Sequence, residues 1–266
     1  MIAIPRLVAR IPILRGVFRL VLTAWADLMH GRYVVDRRLG LTLLLDRTND
    51  VDWQIHVKGA WEPQSVARLF ALANAERRHC PDGAVFLDIG AHWGFYALLA
   101  HKTGWFQRIV AFEPDPANYA QLQANLFLND AANAIEALKL AASDREATFG
   151  LALQTHRNRG GTQLVSVDQS PQVTCRAVPI ASVLDFAGKL LVVKMDIESH
   201  EEEALEGLLS LLKKNHSVLQ VEIWRGAEAR DADRPNRVIK RLGQHGLRHL
   251  GIIDSDYFFV SERPAG

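Results

Sequence analysis

The sequence predicts an α/β fold with a mainly parallel sheet, and three observations support this prediction. From about residue 84 onward, short apolar runs alternate with stretches of helical periodicity, as in strands joined by crossover helices. The first of these runs leads into a turn with two glycines, Gly90 and Gly94. Acidic residues stand at the ends of several apolar runs, the positions where open α/β sheets bind their ligands.

Length and composition are those of an ordinary globular protein. The 266 residues suffice for one sizeable domain with an extension, and 48% of them are hydrophobic and 23% charged. A net charge of +1 gives no bulk field for nucleic acid, so no nucleic-acid partner is predicted. Cys80 and Cys175 lack metal-ligand spacing and predict neither zinc nor a disulfide framework. We therefore expect a reducing compartment and a cytoplasmic protein.

Residues 1–30 mix arginines with apolar residues and contain no acid before Asp27. The uncharged run from Leu20 to Ala26 is far shorter than the roughly 20 residues that cross a bilayer. Pro5 and Pro12 prevent one continuous helix. We expect a basic helix that packs on the main domain or on a partner. The composition leaves open an organelle transit peptide or peripheral membrane contact through this segment.

Each element of the main domain is predicted from its own local pattern. Asp115 and Pro116 predict the start of a helix, and Gly104 predicts the end of the one before it. The predicted helices are WGFYALLAHKTG from residue 93, DPANYAQLQANLFLND from 115 and HEEEALEGLLSLLKK from 200. The predicted strands are AVFLDIG from 84, RIVAFEP from 108, IEALKLAAS from 135, LLVVKMDIE from 190 and SVLQVEIW from 217.

Two regions depart from this alternation. Between about 144 and 180, three short strand-like runs separated by polar turns predict a β-rich insertion. After about residue 234, the pattern predicts a helix and a two-stranded ending. Residues 1–80 are predicted to form an N-terminal extension with a basic helix and short strands, and residues 81–266 the main domain.

The turn after the first predicted strand points to a nucleoside ligand. A strand, a glycine turn, a helix and an acid at the end of the next strand make up the nucleoside-binding half of a Rossmann-like fold. That acid is Glu113, and 113 − 90 = 23 residues separate it from Gly90. A carboxylate about 20 residues after the turn is expected to accept hydrogen bonds from the ribose hydroxyls. The alternatives are that the glycines only permit a tight turn and that Glu113 is a surface acid.

Asp88, just before the turn, separates two classes of ligand. Its carboxylate would repel the pyrophosphate of a dinucleotide, and the GxGxxG spacing is absent, so an NAD-dependent dehydrogenase is disfavoured. The carboxylate suits a nucleoside whose other end is positive. S-adenosylmethionine, with its sulfonium and ammonium groups, is such a ligand. The alternative is that Asp88 caps a helix or braces a loop.

These residues resemble the FkbM family of S-adenosylmethionine-dependent methyltransferases. The resemblance rests on FLDIGAHWGFYALLA, VAFEPDPANYAQLQANLFLN and VVKMDIESHEEEALEGL, in this order, and covers about residues 40–260. It implies a class I methyltransferase fold, which is a mainly parallel seven-stranded sheet with one reversed strand near its C-terminal edge. The chain departs from the family at Ser199, where a glycine usually follows the acid of the DxE motif.

The resemblance also implies a cofactor site on the turn and on neighbouring strand ends. Ala142 and Ser143 are expected to border the adenine ring. Asn125 and Asn129 either brace the turn and the second helix or are surface amides. Trp93, Phe95 and Tyr96 are expected to lie mostly in the core. The residues expected to bind the cofactor are Asp88, Gly90, His92, Gly94, Glu113, Pro114, Ala142, Ser143 and Asp196.

Methyl transfer is an in-line displacement, so the protein mainly aligns the acceptor and removes its proton. Asp196 and Glu198, at the end of the fourth predicted strand, are expected to orient the acceptor, deprotonate it or hold a cation, or else to brace the next helix. His200 is a third catalytic candidate because its unperturbed pKa lies near neutrality, and its alternative is a solvent-facing residue. Glu222 either lines the same rim or is a buried acid paired with a basic residue. No metal site is predicted.

The sequence therefore predicts an S-adenosylmethionine-dependent methyltransferase that O-methylates a small molecule, a sugar or a lipid-linked glycan. The alternative is a methyltransferase fold kept as a non-catalytic binding or assembly subunit. No oligomeric state is predicted.

Overall fold

A computed structural model of the chain describes residues 31–80, 82–153, 161–169, 173–223 and 231–262, together with the single residues 21 and 171. The described residues up to Trp61 form one compact unit, and those from Glu62 onward form another. The predicted basic helix of residues 1–30 lies almost entirely outside the described residues. The domain boundary predicted after residue 80 stays a prediction.

The smaller unit contains a β-hairpin and a helix. Strands β1 (Tyr33–Arg38) and β2 (Leu41–Asp46) pair antiparallel, and α1 (Asp50–Lys58) follows them. Alternation along β2 buries leucines 41, 43 and 45. Asn49 caps α1 because its side-chain oxygen accepts the N–H of Val51 at 3.0 Å. The short strands agree with the sequence-based expectation, whereas α1 was not predicted.

The larger unit alternates strands with helices along most of its length. Helix α2 was not predicted from the sequence, and it packs against the central strands β10 and β11. In chain order the elements are α2 (Pro63–Glu76), β3 (Ala84–Ile89), α3 (Phe95–Thr103), β4 (Arg108–Phe112), α4 (Pro116–Leu128), β5 (Ile135–Leu138), β6 (Ala141–Ala142), β7 (Ala147–Ala152), β8 (Gln163–Val165), β9 (Val173–Val178), α5 (Ile180–Val183), β10 (Leu190–Met195), α6 (Glu201–Lys214), β11 (His216–Glu222), α7 (Arg234–Gln244), β12 (Leu247–Ile253) and β13 (Asp256–Ser261).

The main sheet confirms the predicted fold class. Seven strands of the described chain pair in the order β12-β13-β11-β10-β3-β4-β5. Strands β11, β10, β3, β4 and β5 are parallel to one another, and β13 runs antiparallel to both of its neighbours. This is a mainly parallel sheet with one reversed strand next to its C-terminal edge, as the class I methyltransferase fold requires. The predicted two-stranded ending is the β12–β13 hairpin.

The prediction of one strand over residues 135–143 is wrong. Strand β5 ends at Leu138, and Ala141 and Ala142 form β6, which pairs with β9 in a second sheet of order β6-β9-β7-β8. The N–H of Ser143 continues this pairing by donating to the carbonyl of Val178 at 3.0 Å. The continuous run of residues 135–143 therefore contributes one strand to each of two sheets. The second sheet confirms the predicted β-rich insertion.

The central strands β3 and β10 are buried on both faces of the sheet. All six residues of β3 and all six of β10 are buried, as expected for parallel strands covered by helices. One residue of each strand is charged, namely Asp88 in β3 and Lys194 in β10. These two residues are partners in the register of the sheet, so the acid and the base lie on adjacent strands.

Candidate active site

The turn after β3 requires glycine at both predicted positions. Gly90 and Gly94 have φ angles of 79° and 90°, which L-residues rarely adopt. A Cβ on Gly90 would lie 1.8 Å from the carbonyl oxygen of Asp196, and a Cβ on Gly94 would lie 2.4 Å from Cδ1 of Leu122. His92 between them is also left-handed, with φ 53°. The two glycines let the turn pass against the end of β10 and against α4.

Glu113 lies at the end of β4 and faces the glycine turn. Its Oε2 accepts the N–H of His92 at 2.7 Å, and its Oε1 accepts the N–H of Asp115 at 2.8 Å. Burial raises the pKa of Glu113 to about 8. The side chain of Asn118 also forms a hydrogen bond with Glu113. The two carboxylate oxygens have about four lone pairs between them, so the ionised group can accept one further hydrogen bond. This chemistry fits a ribose hydroxyl, and Pro114 follows at the same edge.

Asp88 braces the helix that follows the turn. Its side chain is 1% exposed, and its Oδ2 accepts the N–H of Ala97, in α3, at 2.8 Å. Burial raises the pKa of this carboxyl to about 6. The bracing role is the alternative that the sequence left open. A direct contact between Asp88 and a cofactor stays a prediction.

Asn125 holds the turn from the side of α4. Its side chain is fully buried, and its Nδ2 donates to the carbonyl of Trp93 at 3.1 Å. Asn129 donates to the carbonyl of Asn125 at 2.8 Å and so stabilises the end of the same helix. The interpretation of Asn125 as a brace for the turn is confirmed.

His200 lies with the residues predicted to border the adenine ring. Its Nε2 is 3.0 Å from Oγ of Ser143, and its ring meets that of Phe149 edge-on, with the centroids 5.5 Å apart. Burial lowers the pKa of His200. Ala142 and Ser143 are themselves buried at the junction of the two sheets. The structure therefore groups His200 with the second sheet, and a role in proton transfer stays a prediction.

Asp196 and Glu198 follow β10 directly. The N–H of Asp196 donates to the carbonyl of Ile89 at 2.9 Å, which ties this loop to the start of the glycine turn. Burial, followed by the charge of Asp196, raises the pKa of Glu198 to about 8. Glu198 and Ser199 are both left-handed, with φ angles of 51° and 80°. The loop thus has at Ser199 the conformation that a glycine would favour.

Lys194 belongs to this site, although the sequence reasoning did not select it. Its Nζ donates to Oδ2 of Asp196 at 2.7 Å and lies 5.2 Å from the centroid of the Tyr96 ring. The signal was present in LLVVKMDIE, because a lysine inside a buried strand requires an acidic partner.

Glu222 joins the site from the end of β11. It shares a hydrogen bond with Asp196, and the hydroxyl of Ser255 donates to its Oε1 at 2.8 Å. Burial, followed by the charge of Asp196, raises the pKa of Glu222 to about 10. The interpretation of Glu222 as a residue of the same rim agrees with this contact.

Tyr96 connects the site to the N-terminus of α2. Its hydroxyl donates to Oε2 of Glu62 at 2.9 Å and accepts Nε2 of Gln220 at 2.9 Å. Tyr96, Trp93 and Phe95 are all buried, as expected from the sequence. Glu62 was another residue that the sequence reasoning missed.

Two further features concern the described part of the chain as a whole. Within it, no group of three or more His, Cys, Asp and Glu side chains is arranged to hold a metal ion. None of the helices described has the length and the apolar character needed to cross a bilayer.

Comparison with protein families gives one match over most of the larger unit. A family model described as the methyltransferase FkbM domain matches residues 88–248. Methyltransferase sdnD of Sordaria araneosa is 35% identical over 71 residues, which are 27% of either chain. Methyltransferase 1 of Beauveria bassiana is 24% identical over 149 residues, which are 48% of this chain and 59% of that protein. The chain thus spans less than two thirds of the length of these relatives.

Solved methyltransferase structures align with the chain at low sequence identity and with TM-scores below 0.5. Methyltransferase FkbM from Methylobacillus flagellatus KT is 16% identical, with a TM-score of 0.46 over 93% of this chain and 59% of that one. TYW2 from M. jannaschii, in complex with AdoMet, is 15% identical, with a TM-score of 0.43 over 86% of this chain and 84% of that one.

Proposed function

The chain belongs to the FkbM family of methyltransferases, and from this premise we propose that it O-methylates a small molecule, a sugar or a lipid-linked glycan. S-adenosylmethionine is the methyl donor. A non-catalytic assembly subunit, the alternative left open by the sequence, is not favoured by this family membership.

One observation carries the proposal. The adjacent parallel strands β4, β3 and β10 end at the same edge of the sheet, where they bring together Glu113, the glycine turn and Asp196. The N–H groups of Gly90 and Ala91 both donate to the carbonyl of Phe112, at 3.0 and 2.9 Å. The turn is therefore fixed between two strand ends, each with a carboxylate, which is where open α/β sheets bind ligands.

The carboxylates at the two sides of the turn have different tasks in this proposal. Glu113 accepts a ribose hydroxyl of the nucleoside. Asp196, whose side chain is 27% exposed, presents negative charge toward the positive end of the cofactor and toward the acceptor. The cofactor supplies a methyl group on a sulfonium that leaves as a neutral thioether.

The acceptor hydroxyl must lose its proton during the transfer, which requires a base within hydrogen-bond reach. Asp196 and Glu198 are the candidates because both follow β10 at the edge of the site. A pKa of about 8 places Glu198 near the range in which a general base is most effective at neutral pH. We assign orientation of the acceptor to Asp196 and removal of the proton to either carboxylate.

Isothermal titration calorimetry with S-adenosylmethionine and S-adenosylhomocysteine tests the cofactor site. Because Glu113→Ala removes the charged acceptor proposed for the ribose, we expect it to weaken binding by roughly tenfold or more. Glu136→Ala is the matched control, since Glu136 is an exposed carboxylate of the neighbouring strand β5 that pairs with Arg108. Lack of binding by the folded wild-type protein would contradict the proposal.

The chemistry of the product tests the acceptor class. The wild-type protein is incubated with methyl-labelled S-adenosylmethionine and panels of sugars, lipid-linked glycans, small alcohols and amines. Label in a methyl ether of a hydroxylated acceptor is the expected result, and Asp196→Asn should abolish it. Label found only on nitrogen would contradict O-methylation and leave the methyltransferase assignment intact.

A further inference from the structure

The acceptor side of the proposed active site contains a buried ammonium group. The side chain of Lys194 is 5% exposed and belongs to a strand whose six residues are all buried. Burying a charge is costly unless partners of opposite charge surround it. The groups around the ammonium of Lys194 therefore determine which side chains of this region are charged.

Acidic groups face Lys194 from five parts of the chain. Asp196 is the closest, because its Oδ2 accepts the ammonium at 2.7 Å. The face of the Tyr96 ring, on α3, covers another side of the ammonium. The remaining carboxyl groups that interact electrostatically with Lys194 are Glu198 in the loop after β10, Glu62 before α2, Asp88 in β3, Glu222 in β11 and Asp256 in β13.

Asp196 and Glu222 form a hydrogen-bonded pair of carboxyl groups. Such a pair requires one proton, because two ionised carboxylates have no donor between them. The surroundings of the two groups differ. Asp196 contacts the ammonium of Lys194, whereas Glu222 contacts the neutral hydroxyl of Ser255. Other charged groups near Asp196 are His92, Glu198 and Glu201.

We propose that Lys194 is a positioning residue that keeps Asp196 ionised and leaves the shared proton of the pair on Glu222. The inference rests on the proposed function for its purpose, which is an ionised oxygen on the acceptor side. The directions of the pKa shifts agree with it. Burial would raise the pKa of Asp196, yet Lys194 and the Glu222 hydrogen bond hold it below its usual value. Burial and the charge of Asp196 raise the pKa of Glu222.

This charge state has a direct use in O-methylation. As the acceptor oxygen bonds to the methyl carbon, the carbon–sulfur bond breaks and its electron pair stays on sulfur. The hydroxyl proton moves to an ionised carboxylate, for which Asp196 is available. Glu222, which already has a proton, holds Asp196 in place by donating to it.

Exchanging each acid for its amide tests where the proton is. An amide imitates a protonated carboxyl, so Glu222→Gln should shift the thermal midpoint at pH 7 by no more than about 3 °C. Asp196→Asn leaves the buried ammonium of Lys194 without its nearest negative charge and should lower the midpoint by roughly 10 °C. The opposite ranking would place the proton on Asp196 and overturn the proposal.

The pH dependence of stability tests the role of Lys194. In Lys194→Met, Asp196 loses the counter-ion that holds its folded-state pKa below the usual value, so this pKa rises. The folded-state pKa values of Glu62, Asp88 and Glu222, which are already raised, rise further for the same reason. A carboxyl with a raised folded-state pKa contributes stability that is lost as pH rises. The midpoint difference between the variant and the wild type should therefore widen by several degrees from about pH 5 to pH 8. Parallel profiles would overturn the proposal.

Two controls keep these results interpretable. Lys189→Met removes a half-buried lysine just before the same strand, whose ammonium donates to the carbonyl of Asp82, and should leave the profile parallel to that of the wild type. If Lys194→Met does not fold, infrared spectroscopy of the wild type and Glu222→Gln gives an independent answer. The wild type should show the carbonyl band of a protonated carboxyl that the variant lacks, and identical spectra would overturn the proposal. None of these measurements requires the cofactor, so failure of the proposed function would appear separately, in the calorimetry.

Discussion

The carboxylate of Glu113 accepts the backbone N–H of His92 at 2.7 Å, and the two residues are 21 positions apart in the chain. This bond ties the end of β4 to the glycine turn after β3. Because the same carboxylate also accepts the N–H of Asp115, it is oriented by both strand ends at once. A ribose bound there would meet an acceptor whose position is already fixed, which lowers the entropic cost of binding.

The affinity for S-adenosylhomocysteine is expected to depend on pH through Glu113. Burial raises the pKa of this carboxyl to about 8, and the ionised form is the better acceptor for a ribose hydroxyl. Affinity should therefore rise with pH up to about 8 and level off above it, with a change of at most about tenfold per pH unit. Calorimetry between about pH 6.5 and pH 9 measures this.

Glu113→Gln is the control for this pH profile. An amide does not ionise, so the variant should bind weakly with a flat profile across the same range. A slope equal to that of the wild type would assign the titration to another group.

Gly90→Ala should destabilise the fold strongly. A Cβ at this position would lie 1.8 Å from the carbonyl oxygen of Asp196, and the φ of 79° is strained for alanine. We expect the free energy of unfolding to fall by roughly 3 kcal/mol or more, as measured by urea denaturation. Gly104→Ala is the control, because Gly104 has a φ of 66° with open space around it and should cost only about 1 kcal/mol. Equal losses of unfolding free energy in the two variants would show that the close approach of Gly90 to Asp196 does not affect stability.

Ser199→Gly should stabilise the protein. Ser199 is exposed and has a φ of 80°, a conformation that costs an L-residue roughly 1 kcal/mol and glycine nothing. Part of this gain is offset by the greater freedom of glycine in the unfolded chain, so a net gain of about 0.5 kcal/mol is expected in urea denaturation. Ser199→Ala keeps the Cβ and should give no gain. A gain from alanine as large as that from glycine would exclude backbone strain as the cause.

Asn125→Ala should loosen the glycine turn. The substitution leaves the carbonyl of Trp93 without its side-chain donor in a buried position, which costs about 1–3 kcal/mol in stability. Since the turn forms part of the proposed cofactor site, affinity for S-adenosylhomocysteine should fall several-fold in calorimetry. Gln123→Ala, at an exposed position of the same helix, should change stability by at most about 0.5 kcal/mol. Unchanged affinity in Asn125→Ala would separate this contact from cofactor binding.

Local patterns in the sequence were sufficient to predict most of the strands and helices of the larger unit. The carboxylate of Asp115 accepts the N–H groups of Ala117 and Asn118, which confirms the predicted helix start. Gly104 ends α3 in the left-handed conformation, as predicted. These features depend on residues a few positions apart, and burial on both faces makes the central strands recognisable as apolar runs. The expected core positions of the aromatic residues after the turn follow from the same pattern.

The sequence by itself thus determined most strands and helices of the larger unit, the glycine turn and the acids at strand ends, because each depends on neighbours in the chain. Only the tertiary structure decided which distant groups meet. The register of β10 against β3 pairs Lys194 with Asp88, and the hydrogen bonding of Ser143 to β9 divides an apolar run between two sheets. His200 likewise lies against Ser143 because α6 and the second sheet pack together. Apolar periodicity predicts that a residue is buried, whereas the pairing of strands decides which residues lie beside it.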